Sequence, residues 1–590
     1  MDLSFAPERL TPQQRKLFWI VAAVCAATRL LAVARTLWEW DEALFCLGMR
    51  AYDVSNHQPH PPGFPVYIAL AKLVRLVVPS DFRALQTINV VAGMLLFPAV
   101  FCLARELRMR VSTSIAAGAL CAFFSNVWFF GGTAFSDVAS IVVAVCAVVF
   151  LLRGVRSRRD YWIGTLLLAL AIGIRPQNLL LGLFPGALAT FRRRVPEVIV
   201  ALLIGIVVAG GAFAGAAAAT GGLERYRSAV KAHSDYISKV DSFRSPRRPP
   251  LWRLFDRFFI KQHGMPLVSL IASLFVIISA VAAARQRDAS IGYALLIFAP
   301  MCVVAWLILD RFSTTRFSIG YCPLFALMAA DGIARVARGR VRVEAALATA
   351  LVAAFTIVTL PALATVRGEE SPTVQAMEAV RRQFDPARDR LFVGFSMTRF
   401  VDYFLPDVRY IRVMDDRALP LSVDPARPAY LLTEINSTEP TGSVFRRDRR
   451  WLWNIARRHY YVVALEPIRA LPRFVAGWYA PDRSGIDEYR WIAAQATAQL
   501  PPQFGTSKLR LQFDVPDALL SKHAHVDVIL NGRKLDRIEL GESTISRDYV
   551  VAPAPSGLPN TLVLSSDQTT VGPHGEPRSV HVRFVSWGAG

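Results

Sequence analysis

The stretch WEWDEALF at residues 38–45, followed by NHQPHPPGF at residues 56–64, lies just after the first apolar segment of the chain. Within it, Asp41 and Glu42 are adjacent carboxylates at the depth where a membrane would meet water. Acidic side chains beside a bilayer are costly and usually carry a function. We therefore interpret the stretch as an active-site loop at the end of a membrane span. A solvated helix end is the plainer alternative.

Composition supports a membrane-embedded chain. Soluble domains are about 45–50% apolar and about 25% charged, whereas these 590 residues are 53% hydrophobic and 19% charged. The net charge of +22 comes from short arginine clusters between apolar runs. This pattern predicts orientation in a membrane and no nucleic-acid partner. We expect a multi-pass protein of the inner or plasma membrane.

The N-terminus and the cysteines add two expectations. Arg15 and Lys16 precede an apolar run with no small-residue cleavage site after it, which predicts a retained first span. All seven cysteines fall within the first 322 residues. Their distribution predicts neither a disulfide framework nor a cysteine-based metal site.

Apolar runs of the length needed to cross a bilayer, about 20 residues, recur through the first two thirds of the chain. They predict eleven spans, near residues 17–37, 84–104, 113–131, 134–152, 161–174, 177–191, 196–219, 264–284, 289–309, 317–335 and 343–366. The two runs beside Arg175 and Pro176 are short enough to form one broken pair. The number of spans is therefore open by about two.

Arginine clusters at alternate connections predict the cytoplasmic loops. They lie at residues 105–110, 153–159, 192–194, 285–287 and 335–342. The other connections then face outward, namely the WEWDE loop, residues 125–137, 175–178, 221–263 and 310–316, and everything after about residue 367. The segment at residues 65–78 has Lys72 and Arg75 in its apolar face, which predicts an interfacial helix on the outer surface.

The chain after about residue 367 resembles soluble domains in composition. Helical runs and apolar strands up to about residue 468 predict a small α/β domain. Alternating segments from about residue 473, joined by turn signals such as Asn531-Gly532, predict an all-β sandwich. The expected order is an α-helical transmembrane domain at 1–368, an α/β domain at 369–470 and a β-sandwich at 471–590. The last two are expected to be extracytoplasmic, in the periplasm if the cell is Gram-negative.

The side predicted to face outward carries acids and cations that could act together. A carboxylate can deprotonate a hydroxyl acceptor while cations hold a departing phosphate, and glycosyl transfer from a lipid phosphate requires both. This chemistry predicts Asp41 and Glu42 as catalytic acids. The predicted substrate-binding residues are His57, His60, Asp137, Arg175, Arg311 and Arg316.

These candidates also have plainer interpretations. Arginines at helix ends often extend to the aqueous surface, and Asp137 could cap the helix that follows it. Glu42 could be a second catalytic acid, a metal ligand with His60, or a partner of Arg35. No HxxxH, CxxC or DxD pattern defines a metal site, so the sequence requires no cofactor and leaves a divalent metal open.

The connection at residues 221–263 is strongly cationic, with ten Lys or Arg residues against four acids. Its aromatic residues, among them Tyr236, Trp252 and Phe255, are typical of a membrane interface. The loop suits a phosphate-bearing ligand, and it suits anionic lipid head groups equally well.

Together these residues resemble the C-type membrane glycosyltransferases, and among them the protein mannosyltransferase and lipid A aminoarabinose transferase group. The resemblance covers roughly residues 15–340. It rests on Asp-Glu after the first span and HPP before an interfacial helix. An acid at the start of the fourth span, Arg-Pro after the fifth and Arg-Phe before a late span complete it.

The resemblance implies a polyprenyl-phosphate-linked sugar as donor and a role for Asp41 near the acceptor. The residues it implies for holding the donor phosphate are His60, Arg175 and Arg316, with Asp137 as a supporting acid. The chain departs from the family at Phe317, where Tyr is common, and at His60, where Lys occurs. The donor head group is therefore not fixed, and neither the sugar, hexose or pentose, nor the acceptor, a lipid, glycan or protein, is implied.

Two other functions are compatible with these residues. A transporter or flippase of a lipid-linked glycan also needs outward cations, but such proteins commonly show internal repeats, and the sequence has none. A membrane-anchored carbohydrate-binding protein would use aromatics of the β-sandwich such as Trp478, Tyr479 and Trp491. Only glycosyl transfer requires Asp41 for turnover. We favour it and expect the C-terminal domains to select or position the acceptor.

Overall fold

The structure is a computed structural model of the chain. It describes residues 6–240, 242, 250–308, 315–413, 428–434, 443–447, 462–467, 472–480, 482–484, 487–500, 506–552, 558–573 and 575–589. These residues form two compact units, the first ending at Val374 and the second beginning at Gln375. The predicted boundaries between three domains stay a prediction.

The first unit is helical. Its helices are α1 (Pro12–Leu31), α2 (Trp40–Arg50), α3 (Pro65–Arg75), α4 (Asp81–Glu106), α5 (Val111–Phe123), α6 (Ser125–Gly131), α7 (Asp137–Arg153), α8 (Arg158–Ile174), α9 (Leu179–Thr190), α10 (Val195–Gly205), α11 (Gly211–Ala219), α12 (Leu223–Val240), α13 (Leu251–Phe255), α14 (Pro266–Gln286), α15 (Ala289–Ile308), α16 (Cys322–Val336) and α17 (Val341–Gly368), and α18 (Pro372–Gln383) contains the boundary between the units. Short 3₁₀ helices lie at Val54–Asn56, Pro176–Asn178 and Thr315–Tyr321.

Several of these helices can cross a membrane. Among the described residues, five are long and apolar enough, namely Asp81–Glu106, Val195–Ala219, Pro266–Gln286, Arg316–Val336 and Val341–Gln383. A sixth is gained if α5 and α6, which are bent by 60° at Phe124, form one span. The chain is therefore a multi-pass membrane protein.

The predicted count of eleven spans is not established by these helices. The runs predicted at 134–152 and 161–174 coincide with α7 and α8, which are 17 residues long each. The run predicted at 177–191 coincides with α9, which has 12 residues. A helix crossing alone needs about 20 residues, so length does not qualify these three. The count stays a prediction.

Two buried amides on α4 fix the connections that carry the acidic candidates. Gln86 Nε2 donates to the carbonyl oxygens of Ala34 and Gly132 at 2.8 and 2.7 Å. Asn89 Nδ2 donates to Phe130 O at 2.7 Å, and its Oδ1 accepts the N–H of Ala139 in the first turn of α7. Because a buried polar group must be paired, these bonds hold the segments before α2 and α7 in one arrangement.

A proline breaks the chain after α8 and positions Arg175. The ring of Pro176 clashes with a helical conformation of the residue before it, so Arg175 takes an extended backbone with φ −147° and ψ 118°. Asn178 Nδ2 closes the break by donating to Ser140 Oγ at 2.7 Å and to Ala171 O at 2.8 Å. The break therefore holds Arg175 beside the start of α7.

α3, with 11 residues, is too short to span a bilayer. Leu73 is 63% exposed, and Leu76 and Val77, just beyond its end, are 82% and 84% exposed. These exposed apolar side chains support the interfacial placement, which stays a prediction.

The second unit contains a mixed five-stranded sheet. Its strands are β1 (Arg390–Gly394), β2 (Tyr410–Val413), β3 (Ala429–Glu434), β4 (Ser443–Arg446) and β5 (Val462–Pro467), in the order β2-β1-β3-β5-β4. β1 pairs in parallel with β2 and β3, whereas β5 is antiparallel to β3 and β4. Helix α19 (Thr398–Phe404) follows β1. Among the described residues, α18 and α19 flank β1, and the predicted α/β domain stays a prediction.

The rest of the second unit is rich in antiparallel strands. They are β6 (Arg473–Trp478), β7 (Asp482–Ser484), β8 (Asp487–Leu500), β9 (Ser507–Asp514), β10 (His525–Leu530), β11 (Arg533–Glu539), β12 (Thr544–Val551), β13 (Asn560–Ser566), β14 (Thr570–Val571), β15 (Pro577–Arg578) and β16 (His581–Ala589), with the short helix α20 (Asp517–Leu520) between β9 and β10. The long strand β8 pairs with β13 and with β16, which joins two groups of strands.

Alternation of buried and exposed residues along the strands identifies the core of this region. Leu509, Leu511 and Phe513 of β9 are fully buried, and they pack in one cluster with Val526 and Val528 of β10. The β10–β11 turn contains Asn531-Gly532 with φ of 50° and 78°, as the sequence predicted for a tight hairpin. The C-terminal region is β-rich as predicted, and its arrangement as a β-sandwich stays a prediction.

Candidate active site

Asp41 lies in the first turn of α2, where it is ion-paired with Arg316. Arg316 belongs to the 3₁₀ helix Thr315–Tyr321, and its Nη2 donates to Asp41 Oδ2 at 2.7 Å. The side chains of Arg316 and Asp41 are only 9% and 19% exposed. Two candidates separated by 275 residues in sequence therefore meet in one place.

Asp137 begins α7 and is paired with Arg175 from the break after α8. Arg175 Nη2 donates to Asp137 Oδ2 at 2.8 Å, and its Nε donates to Ser136 Oγ at 2.9 Å. Arg316 Nε lies 3.9 Å from the same carboxylate oxygen. Asp137 thus joins the two ion pairs into one group of Asp41, Arg316, Asp137 and Arg175, which we call the charge cluster.

The charge cluster is neutral in sum and largely withdrawn from water. Its two formal positive charges balance its two negative ones, and none of its side chains is more than 19% exposed. The guanidinium carbon of Arg316 lies 4.2 Å from the centre of the Phe135 ring, and that of Arg175 lies 5.4 Å from Phe64. Aromatic faces stabilise dehydrated cations. The cluster therefore presents two fixed guanidinium groups suited to a phosphate.

Glu42 lies beside Asp41 in sequence but has a different environment. Its Oε2 accepts the N–H groups of Trp38 and Glu39 at 2.7 and 3.0 Å, and its Oε1 accepts that of Ala134 at 2.9 Å. The residue is fully buried. Burial raises the pKa of Glu42 to about 7, and the three N–H groups act in the opposite direction. We propose that Glu42 ties the loop before α2 to the segment before α7 and is not a second catalytic acid.

His60 lies against aromatic rings next to the charge cluster. Its ring centre is 4.8 Å from that of Phe64 and 5.7 Å from that of Phe45. Its Nδ1 is buried and has no hydrogen-bond partner. Burial lowers the pKa of His60 to about 3; the Asp41 carboxylate opposes this shift, whereas His233, Arg316 and Arg175 act in the same direction as burial. His60 is therefore neutral at physiological pH and can contribute a hydrogen bond but no positive charge.

His57 and His233 lie near His60. The sequence did not single out His233. His57 is exposed, and its ring centre lies 6.1 Å from that of His233 on α12. His233 is also 6.1 Å from His60. A single histidine within a basic connection gives no sequence signal of this kind, because nothing in the local pattern relates residue 233 to residue 60.

A second polar network lies around the bend between α5 and α6. Asn126 Nδ2 donates to Ser318 Oγ at 2.7 Å, and Asn126 Oδ1 lies 3.2 Å from His263 Nδ1. Ser318 Oγ also donates to Gln262 O at 2.8 Å. The network anchors the 3₁₀ helix that carries Arg316. Asn126 next to an apolar run was the available sequence signal, and it was missed.

Three further predictions concern Arg311, a metal site and Arg35. Arg311 lies outside the described residues. In the part of the chain that the structure describes, no group of three or more His, Cys, Asp or Glu side chains could hold a metal ion. Arg35, suggested as a partner of Glu42, instead lies 3.1 Å from Glu370. The structure thus brings Asp41, Asp137, Arg175 and Arg316 together with His60 beside them.

The chain shares its fold with a solved structure from the group that the sequence resembles. Specifically, the chain is similar in structure to ArnT from Cupriavidus metallidurans bound to undecaprenyl phosphate, with a TM-score of 0.51 and 12% identity over 77% of this chain and 98% of that one. The apo state of the same protein gives a TM-score of 0.45 with 12% identity, covering 76% of this chain and 97% of that one.

A mycobacterial protein, the arabinofuranosyltransferase AftD, is also similar. The TM-score is 0.46 at 10% identity, and the match covers all of this chain and 60% of AftD. At these identities the likeness to ArnT shows the fold alone. No protein-family model and no curated protein sequence matches the chain.

Proposed function

We propose that the protein is a membrane glycosyltransferase that transfers a sugar from a polyprenyl-phosphate donor to an acceptor on the extracytoplasmic side of the membrane. The observation that carries the proposal is the charge cluster. It holds a carboxylate, Asp41, within 2.7 Å of a guanidinium group, and a second arginine is joined to it through Asp137. A base next to two phosphate-binding cations is the arrangement that this transfer requires.

In the proposed reaction the acceptor hydroxyl attacks the anomeric carbon of the donor sugar. Asp41 accepts the hydroxyl proton as the new carbon–oxygen bond forms. The bond between the anomeric carbon and the phosphate oxygen breaks, and its electron pair leaves with the polyprenyl phosphate. Arg175 and Arg316 stabilise the charge that develops on that phosphate. Neutral His60 supplies a hydrogen bond at the same place.

Three features support the donor and the side of the membrane. The structural neighbour ArnT was determined with undecaprenyl phosphate bound, which is a lipid of the proposed kind. The segments that carry Asp41, His60 and Arg175 are among the connections predicted to face outward from the arginine pattern. The connection at residues 221–263 adds further cations on that side. A hexose and a pentose are both compatible with the site.

The C-terminal region is proposed to act on the acceptor. We propose that an α/β domain at 369–470 and a β-sandwich at 471–590 lie outside the cytoplasm and position a lipid, glycan or protein acceptor. The four residues of the charge cluster all precede residue 320, and we propose that the transfer itself needs no residue of this region.

The decisive experiment replaces Asp41. Purified protein reconstituted with polyprenyl-phosphate sugars should transfer the sugar, and Asp41→Asn should slow transfer by about a hundredfold or more, the scale of an acid-base group. Asp235→Asn, which changes an exposed carboxylate on α12, is the matched control and should leave transfer unchanged. A folded Asp41→Asn protein with near-normal transfer would refute the assignment.

A further inference from the structure

Three polar contacts attach helix α12 to the loop at residues 53–62, which we call the HPP loop. Arg225 Nε donates to Ser55 Oγ, and its Nη2 donates to Asp53 Oδ2, both at 2.7 Å. The hydroxyl of Tyr226 donates to the carbonyl oxygen of Pro62 at 2.8 Å. The N-terminal turn of α12 is therefore attached to the loop that contains His57 and His60.

The geometry of the helix brings His233 to the same loop. His233 lies seven residues after Tyr226, which is about two helical turns, so the two side chains are on one face of α12. The ring of His233 is accordingly 6.1 Å from the rings of both His57 and His60. It is partly exposed, whereas Nδ1 of His60 is completely buried.

Asp41 interacts electrostatically with both His60 and His233. Asp41 and Phe45 are four residues apart on α2 and share a face of that helix. The ring centre of Phe45 is 5.7 Å from that of His60. The face of α2 that carries Asp41 is therefore the one next to His60.

We propose that His233 is a proton-relay residue, which takes up the proton that Asp41 removes from the acceptor and releases it to water. The inference rests on the proposed function. In each turnover the acceptor O–H bond breaks as the glycosidic bond forms, and the phosphate leaves with its electron pair. Asp41 then holds one proton. It must lose that proton before the next turnover, and transfer to His233 and on to water restores the carboxylate.

His233 is better suited to this step than His60. The pKa of His60 is lowered to about 3 by burial, so His60 cannot hold a proton near neutral pH. Burial also lowers the pKa of His233, with His57 acting in the same direction and the Asp41 carboxylate opposing both. Among the described residues, the titratable groups that interact with His233 are His57, His60 and Asp41. An imidazole that is neutral at rest can accept a proton and release it quickly.

The test compares His233→Gln with Tyr236→Phe, a control at an exposed position of the same helix. His233→Gln should lower kcat by about tenfold or more and leave the affinity for the donor unchanged. It should also make kcat rise with buffer concentration, and added imidazole should restore turnover. Tyr236→Phe should behave like the wild-type protein. Arg225→Gln, which loosens α12, should lower kcat in part.

Two results would overturn the relay. One is a kcat for His233→Gln close to that of the wild-type protein. The other is a loss of kcat that imidazole does not restore, which would assign His233 a purely structural role. If Asp41→Asn abolishes transfer while His233→Gln keeps it, the relay alone is wrong and the proposed function stands. If Asp41→Asn transfers normally, both are wrong.

Discussion

Replacing Arg316 by Gln tests the charge cluster most directly. Arg316 contacts Asp41 at 2.7 Å and Asp137 at 3.9 Å, and its side chain is only 9% exposed. The substitution removes one of two cations from a cluster whose formal charges cancel. Two carboxylates would then share Arg175 as their single guanidinium partner within the cluster.

The expected loss of stability follows from the burial of the ion pair. Removing one partner of a buried ion pair costs about 3–5 kcal/mol, because a charge is left uncompensated. Adding Asp41→Asn restores the balance of charge, so the double variant should be less destabilised than the sum of the two single variants. A coupling free energy of about 1–3 kcal/mol is expected for residues in such contact. Arg50→Gln is the control. It breaks a pair with Asp81 in which Arg50 is 46% exposed, and such pairs contribute about 0–1 kcal/mol.

The assay is the free energy of unfolding in detergent, measured by denaturant titration for the wild-type protein and the four variants. Binding of a polyprenyl phosphate should be measured on the same samples. Arg316→Gln should weaken it by more than tenfold, since a charge-assisted contact to phosphate contributes about 1.5–3 kcal/mol. Equal stability losses for Arg316→Gln and Arg50→Gln, together with unchanged lipid binding, would refute the reasoning.

Three further outcomes are expected. Gly132→Ala should destabilise the protein, because its new Cβ would lie 2.1 Å from Ala32 O, whereas Gly186→Ala should not, because nothing lies within 4 Å there; equal melting temperatures would contradict this. Glu42→Gln should cost about 1–3 kcal/mol of stability through a lost acceptor while folded protein keeps its transfer rate, and a hundredfold slower rate would restore Glu42 as a catalytic acid. The pKa of His60 falls to about 3 on folding, so between that value and about 6.5 the unfolded protein binds more protons at His60 than the folded protein does. The contribution of His60 to the free energy of unfolding therefore rises with pH across this range. Between pH 5 and pH 7, the free energy of unfolding should increase less for His60→Gln than for the wild-type protein.

Sequence patterns predicted the residues of the charge cluster because their signals are local. Asp41 and Arg175 each interrupt or end an apolar run, where a charge needs an explanation. The β-rich region could likewise be predicted from alternation, as in β9 and β10. Both inferences use only neighbouring residues along the chain.

What could not be predicted depends on contacts between distant segments. The structural role proposed for Glu42 rests on N–H groups of Trp38, Glu39 and Ala134, and the last of these is 92 residues away. His233 is placed by bonds from α12 to residues near position 55. The number of spans was also difficult, because breaks at Phe124 and Pro176 divide apolar runs into helices shorter than a bilayer is thick.

The ion pairs of the charge cluster have a consequence, under the proposed function, for release of the carrier lipid. Asp41 and Asp137 are internal counter-ions for Arg316 and Arg175. An arriving phosphate must share these arginines with the carboxylates, and a departing one is replaced by them. Neither step leaves a bare guanidinium group in a dehydrated pocket. In the proposed enzyme, competition from the two carboxylates therefore lowers the affinity of the arginines for the phosphate. Lower affinity favours repeated turnover over tight retention of the product.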